Sequence, residues 1–238
     1  MDVRAKVIRW LSKNQRPWLA MLVLCLGITL LGIMGAIIKH LGEFYSPTLL
    51  AVARNIFGFA PVLLILIITN KTTSIFSSAG KKNMLLLIIR GVSIAVAQFC
   101  FYLALMKLEF ATASTLVFAG PLFLTALSVP ILGARVGVWR WTAVIIGFLG
   151  ILIIMDVGTN LFNIFALLPL GAAFGYALSS VLVKLFSSEV STAQIQLYTQ
   201  AITLVSATAL LIMFSGYSPI VSINDFLLIS VMGISGGC

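Results

Sequence analysis

The chain has 238 residues, of which 61% are hydrophobic and only 9% charged. Soluble domains carry about 25% charged and ~45–50% apolar residues, so a water-facing globular domain is excluded and a polytopic membrane protein is implied. The net charge of +9 does not point to nucleic acid, because the basic residues punctuate apolar runs instead of clustering on a polar face.

Crossing the hydrocarbon takes about 20 apolar residues as a helix. Runs of that kind lie at 18–39, 47–69, 83–106, 111–132, 138–156, 161–186 and 191–214, and an eighth begins near Asp225. The first run is too long for the h-region of a signal peptide and more spans follow it, so it reads as a retained helix. The joints are short ("KHLGEFYSP", "MKLEFAT", "LGARVGVWR", "DVGTN", "FSSEVST"), with one longer loop at 70–82. Short joints make antiparallel neighbours, so the fold class is an all-α integral membrane bundle. A membrane β-barrel is excluded, since its strands would be about 10 residues of alternating polarity.

Lysine and arginine set the orientation. Arg4, Lys6, Arg9, Lys13, Arg16, Lys71, Lys81, Lys82, Arg135, Arg140 and Lys184 fall on one side, and Lys39 and Lys107 on the other. This predicts a cytoplasmic N-terminus in a bacterial inner membrane. Trp10, Trp18, Trp139 and Trp141 fall on the same cytoplasmic face, as interfacial anchors do. The basic segment 1–17 is either a short helix lying on the inner leaflet or a disordered tail that only sets topology.

Shifted by 145 residues, "GAIIKH" (35–40) falls on "SVLVKL" (180–185), aligning Lys39 with Lys184 at the end of a span in both. A repeat of five spans enters the membrane from opposite sides in its two copies, which gives an inverted-topology repeat of the kind found in transporters. The expected division is 18–156 for the first repeat and 157–238 for the second. On this register Cys238 aligns with Ser93, in the middle of the third span. The expectation is therefore about eight of ten helices, from a protein of roughly 300 residues.

The stretch 90–154 resembles the third-to-fifth-span signature of the EamA-type drug/metabolite transporters. The matching pieces are Arg90-Gly91, "YLAL" (102–105), Ala-Thr-Ala (111–113), "GPLF" (120–123), Leu-Gly (132–133) and "GFLGILII" (147–154). Arg54 matches an arginine of the family's second span. Where the family places a glutamate after Leu-Gly, this chain has Ala134, which leaves the adjacent Arg135 to lipid headgroups. The resemblance implies secondary transport of a small organic solute by alternating access, without naming the solute. Amino acids, nucleotide-like metabolites, vitamins and drugs all pass through relatives.

Ionisable and polar groups inside spans are the candidates for the solute pathway, because they are costly in lipid unless paired or facing a cavity. Arg54, about 10 Å below the outer surface at 1.5 Å per residue, is either a solute gate or an anchor for loop carbonyls or Glu43. Arg90 is equally deep from the inner surface, and a structural role is favoured for it. Gln98 and Tyr102 share a face one turn apart, as do Gln196 and Gln200, and Tyr176 lies in the sixth span. Each is either interhelical glue or cavity lining, and their concentration in three spans favours a shared cavity. Pro121, after Gly120, predicts a kink in the fourth span. Gly171 and Gly175 form a close-packing pair, expected to act within the bundle.

No carboxylate lies deep in a span, so a proton relay through a buried acid is not supported. Cys25, Cys100, Cys238 and the single His40 have no metal or disulfide spacing. The sequence calls for no cofactor. The expected partners are the lipid bilayer and a small-molecule solute, with no nucleic acid and the oligomeric state open. Two alternatives stand beside the transporter. "GISGG" (233–237) fits the short motif of an intramembrane serine protease, with Ser235 as nucleophile. The chain would otherwise be an inactive transporter fragment.

Overall fold

The structure, a computed structural model, describes residues 17–69, 81–134, 136–154, 164–186, 190, 192–214 and 222–237. The basic segment up to Arg16, loop residues 70–80, Arg135, Asp156, Glu189 and Cys238 lie outside the described residues, and so does the expected helix on the leaflet surface.

Among the described residues, every expected span contains helix. The helices are α1 (Pro17–Leu41), α2 (Pro47–Thr69), α3 (Lys81–Lys107), α4 (Phe110–Val117), α5 (Gly120–Leu132), α6 (Val138–Ile154), α7 (Leu167–Val183, led in by a 3₁₀ turn at Ile164–Ala166), α8 (Thr192–Phe214) and α9 (Ile223–Gly237). Among the described residues there is no strand. Asn83–Lys107, Phe110–Leu132, Ile164–Val183 and Gln194–Met213 are long and apolar enough to cross a membrane, and Cys25–Leu41, Val138–Ile154 and Ile223–Ser235 are shorter apolar helices.

Local chemistry sets the boundaries. Ser46 caps α2, its Oγ accepting from the Leu49 amide at 3.3 Å, and Pro47 takes the first helical position, where no amide hydrogen is needed. The fourth span is two helices. Pro121 has no amide hydrogen to give the Val117 carbonyl, and the chain turns through Phe118 and Ala119 with i+3 bonds to Thr115 and Leu116. The expected kink is thus a full break with Pro121 at the start of α5. Gly133 ends α5 at φ 63, a left-handed position that glycine takes without steric penalty, and the Ala134 amide reaches back to Ser128 at 3.3 Å.

The packing is inside out relative to a soluble protein. Leu22, Leu26, Leu31, Ile145, Ile146, Leu149 and Ile153 are all exposed, an apolar surface that only lipid covers at low free energy. Asn55, Gln98, Thr199 and Thr203 are buried. One apolar cluster joins α1, α2, α3 and α9 through Ile38, Leu41, Leu50, Leu105, Ile229 and Met232. A second joins α4 to α7 through Leu116, Ala119, Ile151 and Ala173, with Phe123 edge-on to Phe148 and Phe174 at 5.1 and 5.7 Å. At one end of the bundle, Lys39 donates to the Leu108 carbonyl (2.8 Å) and Tyr45 to Asp225 (2.8 Å), tying the ends of α1 and α3 and the starts of α2 and α9 together.

Small residues let the helices approach. Gly175 lies against Ala97 and Ser93 of α3, and its carbonyl accepts from Ser93 at 3.0 Å. Gly171, its expected packing partner in sequence, has nothing within 4 Å of where a Cβ would stand. Only half of that glycine pair therefore makes a helix contact.

Candidate functional site

The polar residues of α2, α3 and α8 meet in the bundle interior. Asn55 is fully buried and donates through Nδ2 to Gln98 Oε1 at 3.0 Å, while Gln98 returns a longer bond of 3.5 Å. Gln200 donates to the Asn55 carbonyl at 3.1 Å and to its side-chain oxygen at 3.4 Å. Three carboxamides on three helices thus bond one another in the bundle interior, and an unpaired buried amide there would cost several kcal/mol. Gly58 makes room for the arrangement, since a Cβ on it would stand 2.8 Å from Gln200 Nε2.

Tyr102 follows Gln98 by one turn and is 1% exposed. Its hydroxyl has no hydrogen-bond partner. Arg54, one residue before Asn55, is half-buried. Gln98 and Gln200 thus meet at Asn55, Tyr102 lies one turn along α3 from Gln98, and Tyr176 is half-buried on α7.

Arg90 sits elsewhere. Its Nη1 donates to Thr199 Oγ1 at 2.7 Å and its Nε to the Ser179 carbonyl at 3.2 Å, fastening α3 to α7 and α8. Beside it Thr203 donates to the Gly91 carbonyl at 3.2 Å. Gln196 is exposed, and Pro121 is exposed at the α4–α5 break, so neither joins the amide cluster. Asn55 is the central residue that hydropathy passes over. Its signal was available, because the shift of 145 residues that aligns Lys39 with Lys184 also sets Asn55 on Gln200.

The protease motif has a packing explanation. Gly233 is buried against α2, where a methyl would collide with the Phe57 Cβ and stand 3.2 Å from the Arg54 carbonyl. The Ser235 hydroxyl donates to the Met232 carbonyl of its own helix at 3.1 Å. His40 is exposed at the end of α1 with its ring edge-on to Phe44. Among the described residues no group of His, Cys, Asp and Glu has the makings of a metal site.

Apolar segments with lipid-facing exteriors, one of them broken at mid-span, around a buried amide cluster define a polytopic membrane protein of the transporter class. A profile of the EamA-like transporter family matches residues 18–156, and the chain belongs to that family. A curated relative, the "Riboflavin transporter" of Vibrio cholerae serotype O1 (strain ATCC 39315 / El Tor Inaba N16961), is 41% identical over 83 residues, which is 35% of this chain and 28% of the relative. The match thus spans well under a third of that protein's length. No solved structure shows a significant match.

Proposed function

We propose that the chain acts as a secondary transporter of a small organic solute by alternating access, with its N-terminus in the cytoplasm of a bacterial inner membrane. The observation that carries the reading is the Asn55–Gln98–Gln200 cluster. Polar groups at the junction of three apolar helices are costly unless bonded to one another, which makes such a cluster a candidate for function, and the midplane of a repeat interface is where transporters hold solute.

The inverted repeat, 18–156 with 157–238, belongs to the same proposal, and two further contacts support it. Asn55 and Gln200 touch each other at the repeat spacing of 145 residues, as equivalent positions on a two-fold axis do. Gly91 of α3 lies against Ile202 and the Thr199 carbonyl of α8, while Gly233 of α9 lies against Phe57 and the Arg54 carbonyl of α2. Positions 57 and 54 are 145 residues before 202 and 199. Gly91 and Gly233 themselves are 142 residues apart, so the two contacts are alike without sharing one register, and the likeness supports halves with exchanged roles, the relation alternating access needs. In the proposed orientation the end carrying Lys39, Tyr45 and Asp225 faces outward.

The similarity to a riboflavin transporter supports a planar heteroaromatic metabolite, riboflavin first, as the solute to test. The site is compatible, with carboxamide and tyrosine groups able to bond an imide-like edge and aromatic rings close by. Vesicles containing the chain are expected to take up riboflavin, or another member of a metabolite panel, above protein-free controls. Gln98→Ala and Asn55→Ala should each lower that uptake by about tenfold, the loss of one to two buried hydrogen bonds, with membrane insertion unchanged. Normal uptake in both variants would sink the site assignment.

A further inference from the structure

The interior amides have a direction. The Asn55 main-chain carbonyl can only accept, so Gln200 must turn Nε2 toward it, and the same Nε2 meets the Asn55 side-chain oxygen. With that oxygen facing α8, Asn55 Nδ2 is left to donate to Gln98 Oε1. The cluster therefore runs in one sense, from α8 through α2 to α3. The capacity left unused is specific. Both Gln200 bonds go through Nε2, so among the described residues its Oε1 has no donor. Gln200 is only half-buried, whereas Asn55 and Gln98 are buried. On the α3 side, Gln98 Nε2 makes one long bond of 3.5 Å and keeps its second hydrogen. One turn along α3, the Tyr102 hydroxyl is buried and unbonded, a costly state for a polar atom. Helical side chains lean toward the N-terminus of their helix, so Tyr102 leans toward the level of Gln98. Its ring packs in the apolar cluster that also holds Ala53 of α2 and Ala207 of α8.

We propose that these unused groups form a subsite for the lactam or imide edge of a neutral solute. Gln200 Oε1 takes the N–H of that edge, and Gln98 Nε2 and the Tyr102 hydroxyl supply hydrogens to the adjoining carbonyl. An acceptor on α8 facing donors on α3 complements N–H beside C=O, and the opposite arrangement of the Gln200 amide is forbidden by the Asn55 carbonyl. A solute alkylated at that nitrogen leaves Gln200 Oε1 unpaired and sets a methyl against it, so the subsite rejects it. Asn55, Gln98 and Tyr102 are all buried, so solute reaches the edge-binding groups when α8 parts from α2 and α3. The inference rests on the transporter reading for that opening, and adds to it the atom of the solute that is recognised.

A pair of probes on the purified full chain decides it. Riboflavin carries one imide N–H between two carbonyls, and 3-methylriboflavin differs only in a methyl on that nitrogen. Both are titrated by their own fluorescence. The methylated flavin is expected to bind at least about tenfold more weakly, as when an acceptor is left unpaired in a closed site. Gln200→Ala removes the acceptor and the obstacle together, so both flavins should bind it weakly and within about threefold of each other. Tyr102→Phe should weaken both by about fivefold, one neutral hydrogen bond, and leave the ratio between them intact. Its thermal midpoint in detergent should equal or exceed that of the unaltered chain, because only an unbonded hydroxyl is lost. Equal affinities in the unaltered chain, as when a resident water already fills these groups, would overturn the subsite. So would a ratio that survives Gln200→Ala, a lowered midpoint in Tyr102→Phe, or no binding of either flavin. Uptake of another solute by vesicles beside any of these failures would leave the transporter reading standing, whereas flavin discrimination without uptake of any solute would count against that reading alone.

Discussion

Gly233→Ala is expected to lower the thermal midpoint of the purified chain by roughly 6–12 °C, the equivalent of about 3 kcal/mol at 2–4 °C per kcal/mol for a chain of this size. The obstacle to the methyl is the Phe57 Cβ, with the Phe57 Cα and the Arg54 carbonyl each at 3.2 Å. None of these can rotate away, so only separation of α9 from α2 relieves the clash, and this puts the effect at the upper end of overpacking penalties. Gly171→Ala is the control. Nothing stands within 4 Å of its Cβ position, so it should be neutral or slightly stabilising, since alanine is about 0.5–1 kcal/mol better than glycine inside a helix. Phe57→Gly tests the mechanism. Alone it destabilises, because it empties the Phe57–Phe226 ring contact at 5.5 Å. Combined with Gly233→Ala it should do less harm than the sum of the two, by at least about 1 kcal/mol of coupling. Additive effects would mean that the α2–α9 contact is not where the damage occurs. A serine nucleophile would predict a different pattern, with Ser235→Ala abolishing a hydrolytic activity and glycine-to-alanine effects unrelated to Phe57.

The helices were legible because each boundary is a local event. Ser46 and Pro47 start α2, Gly133 stops α5, and Pro121, with no amide hydrogen for the Val117 carbonyl, ends α4 and starts α5. What hydropathy cannot supply is rotation about the helix axis. In a soluble helix the polar stripe marks the outside. Here lipid and protein core are equally apolar, and a polar residue has no preferred direction in the pattern. Depth is a second unknown: Gln196 and Gln200 share a face, yet Gln200 bonds to Asn55 whereas Gln196, one turn nearer the start of α8, is exposed. Asn55 was obscured by the more conspicuous Arg54 beside it. The Arg90 contact with Ser179 was invisible for another reason, since its acceptor is a main-chain carbonyl that any residue would offer.

Arg90→Met is expected to cost about 2 kcal/mol of stability, a loss of roughly 4–8 °C in thermal midpoint. The methionine keeps the apolar stem and removes the head that bonds Thr199 and Ser179. Two opposing terms set the size. Hydrogen bonds to a charged donor are worth ~1.5–3 kcal/mol each, whereas releasing a half-buried guanidinium from an apolar setting recovers part of that. Neither abandoned acceptor is left wholly bare, because the Thr199 hydroxyl can turn back to its own helix and the Ser179 carbonyl is an α7 acceptor, so the net lies toward the lower end. Arg90→Lys should recover less than half of the loss. A compact ammonium on a flexible stem does not reproduce the fork that spans a hydroxyl on α8 and a carbonyl on α7. In a double-mutant cycle with Thr199→Val, a coupling of about 1 kcal/mol is expected, within the range for interhelical bonds in membranes. Uptake per folded molecule should change by less than about twofold, well below the tenfold expected from losing a solute contact. An Arg90→Met protein of undiminished stability that no longer takes up solute would instead place Arg90 on the solute's route, and the clamp on α3, α7 and α8 would then have to be a gate that opens in each cycle.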